Sequence, residues 1–181
     1  MKATGIVRRI DDLGRVVIPK EIRRTMRIRE GDPLEIYTNP DGEVIFKKYS
    51  PINELSEGAV QAADVISKLG NAPAVVFDKD HVVAVSGVSK KEYSQRRLSA
   101  ALEEILESRK SFEFTDAVNS PLYPVEGVSA HALCISPIIA NGDISGAVSY
   151  ISDKDEEHVT ASQATLCKAA AMILSKQIEE P

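Results

Sequence analysis

Residues 1–50 contain four short β-branched stretches and one short helical stretch, and this is too little chain to enclose a hydrophobic core. Domains of about 50 residues are marginal unless a metal, a disulfide or a partner stabilises them. The sequence therefore predicts a unit that folds as a dimer. The predicted strands are 4–10, 15–18, 34–38 and 43–49, with turns over 11–14 and 39–42.

The segment 5–29 carries eight basic side chains, although the formal net charge of the chain is −5. Residues 1–50 hold 11 basic and 8 acidic side chains, whereas residues 51–181 hold 11 and 19. This asymmetry predicts two functional units with a boundary near residue 50. A row of arginines in a local cationic field favours a nucleic-acid partner over a membrane, so the segment predicts a DNA-binding element.

A short helix is predicted over 20–26, because Pro19 suits the first helical position. Ile22 and Met26 lie four residues apart and form its apolar base. The opposite side carries basic residues at i, i+3, i+4 and i+7, namely Lys20, Arg23, Arg24 and Arg27. The pattern therefore indicates a basic ridge on a helix that packs on its other side.

The string DDLGRVVIPKEIRR, residues 11–24, closely resembles the AbrB-type DNA-binding domain, and the resemblance covers roughly residues 3–50. It implies a swapped-hairpin β-barrel in which two chains intertwine. It also implies DNA contacts from Arg8, Arg15, Arg23 and Arg24, with Arg9 and Lys20 as further candidates. Guanidinium groups suit this role because they bind phosphate bidentately and also bind guanine edges. We expect the affinity to fall steeply with salt and to depend on DNA shape as well as base contacts.

Two other interpretations of the basic segment stay open at this point. The first is a solvated surface, in which acidic neighbours such as Asp11, Asp12, Glu21 and Glu30 neutralise the arginines. The second is an AbrB-like antitoxin, whose C-terminal part binds a protein partner. The predicted globular character of residues 51–181 argues against the antitoxin, because antitoxin tails are short.

Residues 51–181 predict an α/β unit with an antiparallel sheet and terminal helices. Helices are predicted over 51–70, 90–108 and 158–179, and strands over 74–77, 81–86, 112–114, 132–140 and 144–152. The first helix is apolar on more than one side, with a seam of Leu55, Ala59, Ala62, Ile66 and Leu69. Such a helix is either a core helix or one that packs on its own sheet and on another subunit, and its position next to a dimeric unit favours the second.

This order of elements, together with HALCISPIIANGDISGAVSYIS at 131–152, resembles a GAF domain. The resemblance implies a small-molecule ligand between the sheet and the loops, with Tyr93 and the irregular segment 115–129 as the place to look for a pocket lid. It identifies no ligand contact, and the identity of any ligand stays unknown.

No catalytic or metal-binding residue is predicted. His81, His131 and His158 lack a ligand partner at metal spacing, and no acid, base and nucleophile converge as in an enzyme. Cys134 and Cys167 are predicted to be reduced and buried. No cofactor is expected. The sequence lacks a signal-peptide apolar region or a run long enough to span a bilayer, which predicts a cytoplasmic protein.

Together these patterns predict a two-domain α+β transcription regulator, acting as activator and repressor. Residues 1–50 are expected to bind double-stranded DNA as a dimer. Residues 51–181 are expected to oligomerise, so that the protein forms a homotetramer.

Overall fold

The computed structural model describes residues 4–117, 120–154 and 157–180. The chain divides into a smaller unit, Met1–Tyr49, and a larger unit, Ser50–Pro181. Both combine helices with antiparallel strands, so the α+β prediction is confirmed. Within the described residues, no helix has the length and apolar character that a membrane span requires.

The smaller unit contains helix α1, Lys20–Thr25, and a hairpin of strands β1, Leu34–Thr38, and β2, Val44–Lys48. The hairpin register places Leu34 opposite Lys48 and Thr38 opposite Val44. The Asn39 side chain closes the turn by accepting the Glu43 amide at 2.9 Å. Gly42 takes a positive φ of 81°, which suits glycine in a tight turn. The predicted hairpin and its turn are thus confirmed.

The strands predicted over 4–10 and 15–18 do not form a ladder in this chain. The two segments are joined by a hydrogen-bonded turn, in which the Asp11 amide donates to the Arg15 carbonyl at 3.1 Å. A strand exists through its pairing, and a two-stranded hairpin alone is marginal in water. Periodicity therefore indicated extended backbone here but could not supply the partner strands.

The smaller unit has no hydrophobic core of its own. Among described residues 4–49, Pro19 alone is buried. Met26, which we predicted to anchor α1, is 54% exposed, and large apolar side chains such as Ile10 and Val17 are exposed as well. Burial of such side chains is the main favourable term in folding. The unit therefore needs additional surface to cover it.

The larger unit is built on a five-stranded antiparallel sheet in the order β4-β3-β7-β6-β5. The strands are β3, Ala74–Phe77; β4, Val82–Ser86; β5, Phe112–Glu113; β6, His131–Ala140; and β7, Asp143–Ser152. The helices are α2, Pro51–Glu54; α3, Ser56–Gly70; α4, Lys90–Tyr93; α5, Ala100–Ser108; and α6, Ala161–Glu179. The predicted order of elements is confirmed.

Two apolar clusters hold this unit together. One contains Ala63 and Ile66 of α3 with Cys167 and Leu174 of α6, packed against strand residues such as Tyr150. The other contains Leu102 of α5 with strand and loop residues, including Val75, Phe77, Leu98, Val125 and Ile151. The terminal helices α3 and α6 therefore share one cluster, as predicted for helices lying together.

Specific polar contacts fix α3 and α6. The Tyr150 hydroxyl donates to the Ile66 carbonyl at 2.5 Å, and the Gln163 amide donates to the Gly70 carbonyl at 3.0 Å. Gln163 also completes a capping box with Thr160 at the start of α6. These bonds satisfy groups at helix ends that would otherwise be costly to bury.

The continuous helix predicted over 90–108 is wrong, because the chain leaves helical geometry between α4 and α5. Gln95 has a positive φ of 55°, and Leu98 is fully buried in a bridge to Val125. Ser99 then begins α5 by accepting the Leu102 amide. The tertiary position of Leu98 thus overrides the helical pattern. Leu69, assigned to the seam of the first helix, is 67% exposed, and Ala63 is buried in that helix instead.

Both cysteines are buried and free of a disulfide, as predicted. Hydrogen bonding to the Cys167 thiol and burial raise the pKa of Cys134, which makes it a poor nucleophile. Tyr93 is buried in the second apolar cluster, and Val125 of the segment 115–129 packs there too. Val118 and Asn119 of that segment lie outside the described residues.

Candidate nucleic-acid interface

The turn 11–14 positions Arg15 through one carboxylate. Asp11 Oδ1 accepts the backbone amides of Leu13 at 3.0 Å and Arg15 at 2.7 Å. Asp11 Oδ2 accepts Arg15 Nε at 2.7 Å. Hydrogen bonds from the Arg15 amide and side chain lower the pKa of Asp11. The Arg15 side chain nevertheless stays 70% exposed, so its guanidinium is held but accessible.

Helix α1 carries three of the four residues of the predicted basic ridge, Lys20, Arg23 and Arg24. The fourth, Arg27, lies beyond the end of the helix with a positive φ of 50°, so its predicted place on the ridge is wrong. Pro19 precedes the helix, and its carbonyl accepts the Arg23 amide at 2.9 Å. Lys20, Arg23 and Arg24 are exposed, while Ile22 on the other side is half-buried. No described acidic side chain pairs with Arg23 or Arg24. Their guanidinium groups are therefore available to an anionic partner.

The hairpin of β1 and β2 supports the end of this helix. Lys48 Nζ donates to the Arg27 carbonyl at 3.0 Å and lies 3.7 Å from Asp32 Oδ2. Asp32 Oδ2 also accepts the Arg29 amide at 2.8 Å. These contacts fix the chain that leaves α1, and they leave the ridge itself uncovered.

Arg8 and Arg9 lie in the extended segment before the turn, and both are exposed. Arg8 Nη1 donates to the Val7 carbonyl at 3.3 Å, a local contact that leaves most of its donors available. The six predicted binding residues thus lie in three places: the first extended segment, the end of the turn, and α1.

Neutralisation by acidic neighbours accounts for little of this charge. Of Asp11, Asp12, Glu21 and Glu30, Asp11 alone pairs with an arginine in the described part of the chain. From the sequence, Asp11 was predicted to form the turn and to be one of four acids that could pair with arginines, but Arg15 was not identified as its partner. The spacing of four residues across a turn was the available signal.

Among the described residues, two histidines pack with phenylalanine, and none of the histidines forms a metal site with its neighbours. His131 is buried and lies edge-on to Phe114, and its Nε2 is 3.2 Å from the Glu157 carbonyl. His158 lies beside the same phenyl ring, with Nδ1 3.3 Å from Asp116 Oδ1. Over residues 4–117, 120–154 and 157–180, no group of three or more potential ligands is arranged to hold a metal ion.

Two protein families match this chain, and their matches meet at residues 53 and 54, close to the boundary between the two compact units. Residues 54–179 match the family "Stage V sporulation protein T C-terminal, transcription factor". Residues 7–53 match the family "Antidote-toxin recognition MazE, bacterial antitoxin".

Individual relatives match the whole chain and its N-terminal part. The chain is 49% identical to stage V sporulation protein T of Bacillus subtilis over 181 residues, covering 99% of this chain and all of that protein. Its N-terminal part is 63% identical to the transition state regulatory protein AbrB of Bacillus subtilis over 51 residues, covering 28% of this chain and 52% of AbrB.

The larger unit has the fold of a GAF domain. A GAF domain of a phosphoenolpyruvate-protein phosphotransferase from Coxiella burnetii matches 68% of this chain and 82% of its own, with a TM-score of 0.55 and 17% identity. An AbrB-type unit followed by a GAF-like unit is the architecture that the sequence predicted, and the comparisons confirm it. The chain belongs to the stage V sporulation protein T family of transcription factors.

Proposed function

We propose that this protein is a DNA-binding regulator of sporulation genes, acting as activator and repressor, whose smaller unit contacts double-stranded DNA. The observation that carries the proposal is that Arg15, Arg23 and Arg24 are all exposed, within a segment 63% identical to AbrB. The contact residues are Arg8, Arg15, Arg23 and Arg24, supplemented by Arg9 and Lys20. Arginines in this arrangement suit phosphate and guanine recognition.

The DNA-binding form is a homodimer through the smaller unit. A unit whose described residues bury Pro19 alone does not enclose a core, and its exposed apolar side chains are distributed over both extended segments and the hairpin. In a swapped-hairpin barrel, the segments 4–10 and 15–18 pair with a second copy and cover these side chains. Dimerisation also doubles the number of arginines that face one duplex.

The larger unit oligomerises further, to a tetramer. Its two terminal helices keep apolar side chains exposed, with Val65 and Leu69 four residues apart on α3 and Met172 and Ile173 on α6. Helices that are apolar on a second face pack against another subunit. With one self-contact in each unit, the chains join as a dimer of dimers.

Ligand sensing by the larger unit is the part of the proposal that rests on fold likeness to GAF domains. The sheet face under α5 is filled by apolar side chains, including Tyr93, Leu102 and Val125. A small molecule that binds this face has to displace some of them. Its binding would therefore change the packing of Val125 on this face. A thermal-shift screen of the full chain against metabolites tests this step, and the absence of any specific ligand would leave the unit a structural one.

Selection of duplexes from a random pool with the full chain, followed by fluorescence anisotropy on the selected duplex, tests the DNA assignment. We expect saturable binding whose logarithm of affinity falls linearly with the logarithm of salt concentration. Failure to bind any duplex at low salt would contradict the proposal. A scrambled duplex of equal length separates sequence-specific binding from the general attraction of phosphate.

An antitoxin is the second candidate, favoured by the family match over residues 7–53. In that case the remainder of the chain would bind a protein partner. The folded sheet of the larger unit and the family match over 54–179 support the regulator instead. Isolation of the full chain from its own cells with a stoichiometric toxin protein would favour the antitoxin.

A further inference from the structure

The turn before Arg15 contains a carboxylate that does two tasks at once. Oδ1 of Asp11 accepts two backbone amides, those of Leu13 and Arg15, and so shapes the turn. Oδ2 accepts the Arg15 Nε, a bond that the turn itself does not require. At 2.7 Å, this bond is as short as charge-assisted hydrogen bonds usually are.

The geometry leaves the outer edge of the Arg15 guanidinium available. Arginine has five N–H donors, and the pair with Asp11 uses the one on Nε. One N–H of Nη1 and one of Nη2 point outward in parallel and form the edge that binds phosphate or guanine bidentately. Because the side chain is 70% exposed, this edge is open to a partner.

We propose that Asp11 is a positioning residue for DNA recognition, which holds the Arg15 guanidinium by Nε so that its Nη edge faces the duplex. The inference rests on the proposed DNA-binding function. Its physical basis is pre-organisation: an arginine side chain loses considerable rotamer freedom when it is immobilised, and a residue that restrains it beforehand lowers that cost on binding.

The inference is testable because it predicts weaker DNA binding when the Asp11 charge is removed, whereas electrostatic repulsion alone predicts stronger binding. A carboxylate near DNA repels phosphate, so removal of its charge should strengthen binding if charge is all that matters. Asp12 is the matched control, because it is the next residue, is exposed and forms no ion pair with an arginine among the described residues. Both Asp11→Asn and Asp12→Asn remove one negative charge from the same turn.

The experiment compares the full-length wild type, Asp11→Asn, Asp12→Asn, Arg15→Ala and the double variant Asp11→Asn with Arg15→Ala on the selected duplex. We expect Asp11→Asn to weaken binding by about fivefold to 150-fold, the range for freeing two immobilised side chains, one in each chain of the dimer. Asp12→Asn should bind as tightly as the wild type or more tightly. In the Arg15→Ala background, Asp11→Asn should cause no further weakening.

Asparagine keeps an oxygen that accepts the two amides, so the turn should survive in Asp11→Asn, and thermal unfolding checks this. If that variant does unfold more easily, Arg15→Lys provides a second test with Asp11 intact. Lysine keeps the charge but has no Nε donor and no fork, so we expect weaker binding and no further loss when Asp11→Asn is added.

Equal affinities of Asp11→Asn and Asp12→Asn would overturn the inference while leaving the DNA assignment intact. If Asp11→Asn still weakens binding in the Arg15→Ala background, the inference is also overturned. That result is expected if Asp11 only shapes the turn and does not act through the Arg15 side chain. Wild-type affinity for Arg15→Lys would do the same. Failure of the wild type to bind the duplex would instead refute the proposed function.

Discussion

Replacement of Arg23 or Arg24 by alanine should weaken DNA binding without unfolding the protein. Both side chains are exposed on α1 and pair with no described acid. Alanine favours helix at least as well as arginine does, so α1 should persist. The half-buried Ile22, which packs the helix, is untouched. The effect should therefore appear in affinity and its salt dependence, and not in thermal stability.

The expected magnitude follows from the number of phosphate contacts. In a dimer, each substitution removes two arginines, and each phosphate contact contributes about 0.9 to the slope of log affinity against log salt. Loss of two contacts should lower the slope by about 1.8. Counterion release at 0.15 M salt is worth about 1 kcal/mol per contact, so the affinity should fall about 30-fold.

The assay is fluorescence anisotropy on the selected duplex from about 0.05 to 0.3 M salt, a range in which the slope is well determined. Arg97→Ala in the larger unit is the control, because Arg97 is exposed and the change of charge is identical. Unchanged slope and affinity in both Arg23→Ala and Arg24→Ala would refute the assignment of α1. An equal loss in Arg97→Ala would show that overall charge, and not the basic ridge, determines binding.

Three further predictions concern the larger unit. Gly146→Ala should lower the free energy of unfolding by about 2–4 kcal/mol, because the added Cβ would lie 2.0 Å from the Phe77 carbonyl oxygen. The control Gly142→Ala adds its Cβ in open space at a φ of 81° and should cost about 1 kcal/mol. Chemical unfolding measures both variants, and equal losses would contradict the packing argument. Met172→Glu should lower the mass in multi-angle light scattering from tetramer to dimer, and an unchanged mass would exclude this part of α6 from the self-contact. Asp78→Ala should lower the free energy of unfolding by about 3 kcal/mol, because this buried carboxylate accepts four hydrogen bonds, including that of the Ser50 hydroxyl at 3.2 Å. A melting temperature within about 2 °C of wild type would contradict this prediction.

Features fixed by local chemistry could be predicted from the sequence. Asn39 and Gly42 predict the 39–42 turn, and Pro19 predicts the start of α1. Ile22 was correctly placed on the packed side of that helix. The hairpin of β6 and β7 has long apolar strands and a glycine turn, and it formed close to the predicted bounds.

Features set by distant partners could not be predicted from the sequence. The interruption between α4 and α5 depends on Leu98 pairing with Val125, which is far away in the chain. The extended segments before α1 lack ladder partners within one chain, so their periodicity could not describe their pairing. Which acid binds which arginine also depends on geometry, and the sequence patterns did not distinguish Asp11 from Asp12 as the partner of Arg15.

Hydrogen–deuterium exchange of the full chain with and without its selected duplex tests the central claim most directly. The account predicts that DNA slows exchange in the segment 5–29, with the strongest protection at the turn before Arg15 and in α1. The sheet of the larger unit should exchange at the same rate in both states. Protection confined to the larger unit, or none in 5–29 at saturating DNA, would contradict the assignment of the smaller unit as the DNA-binding element.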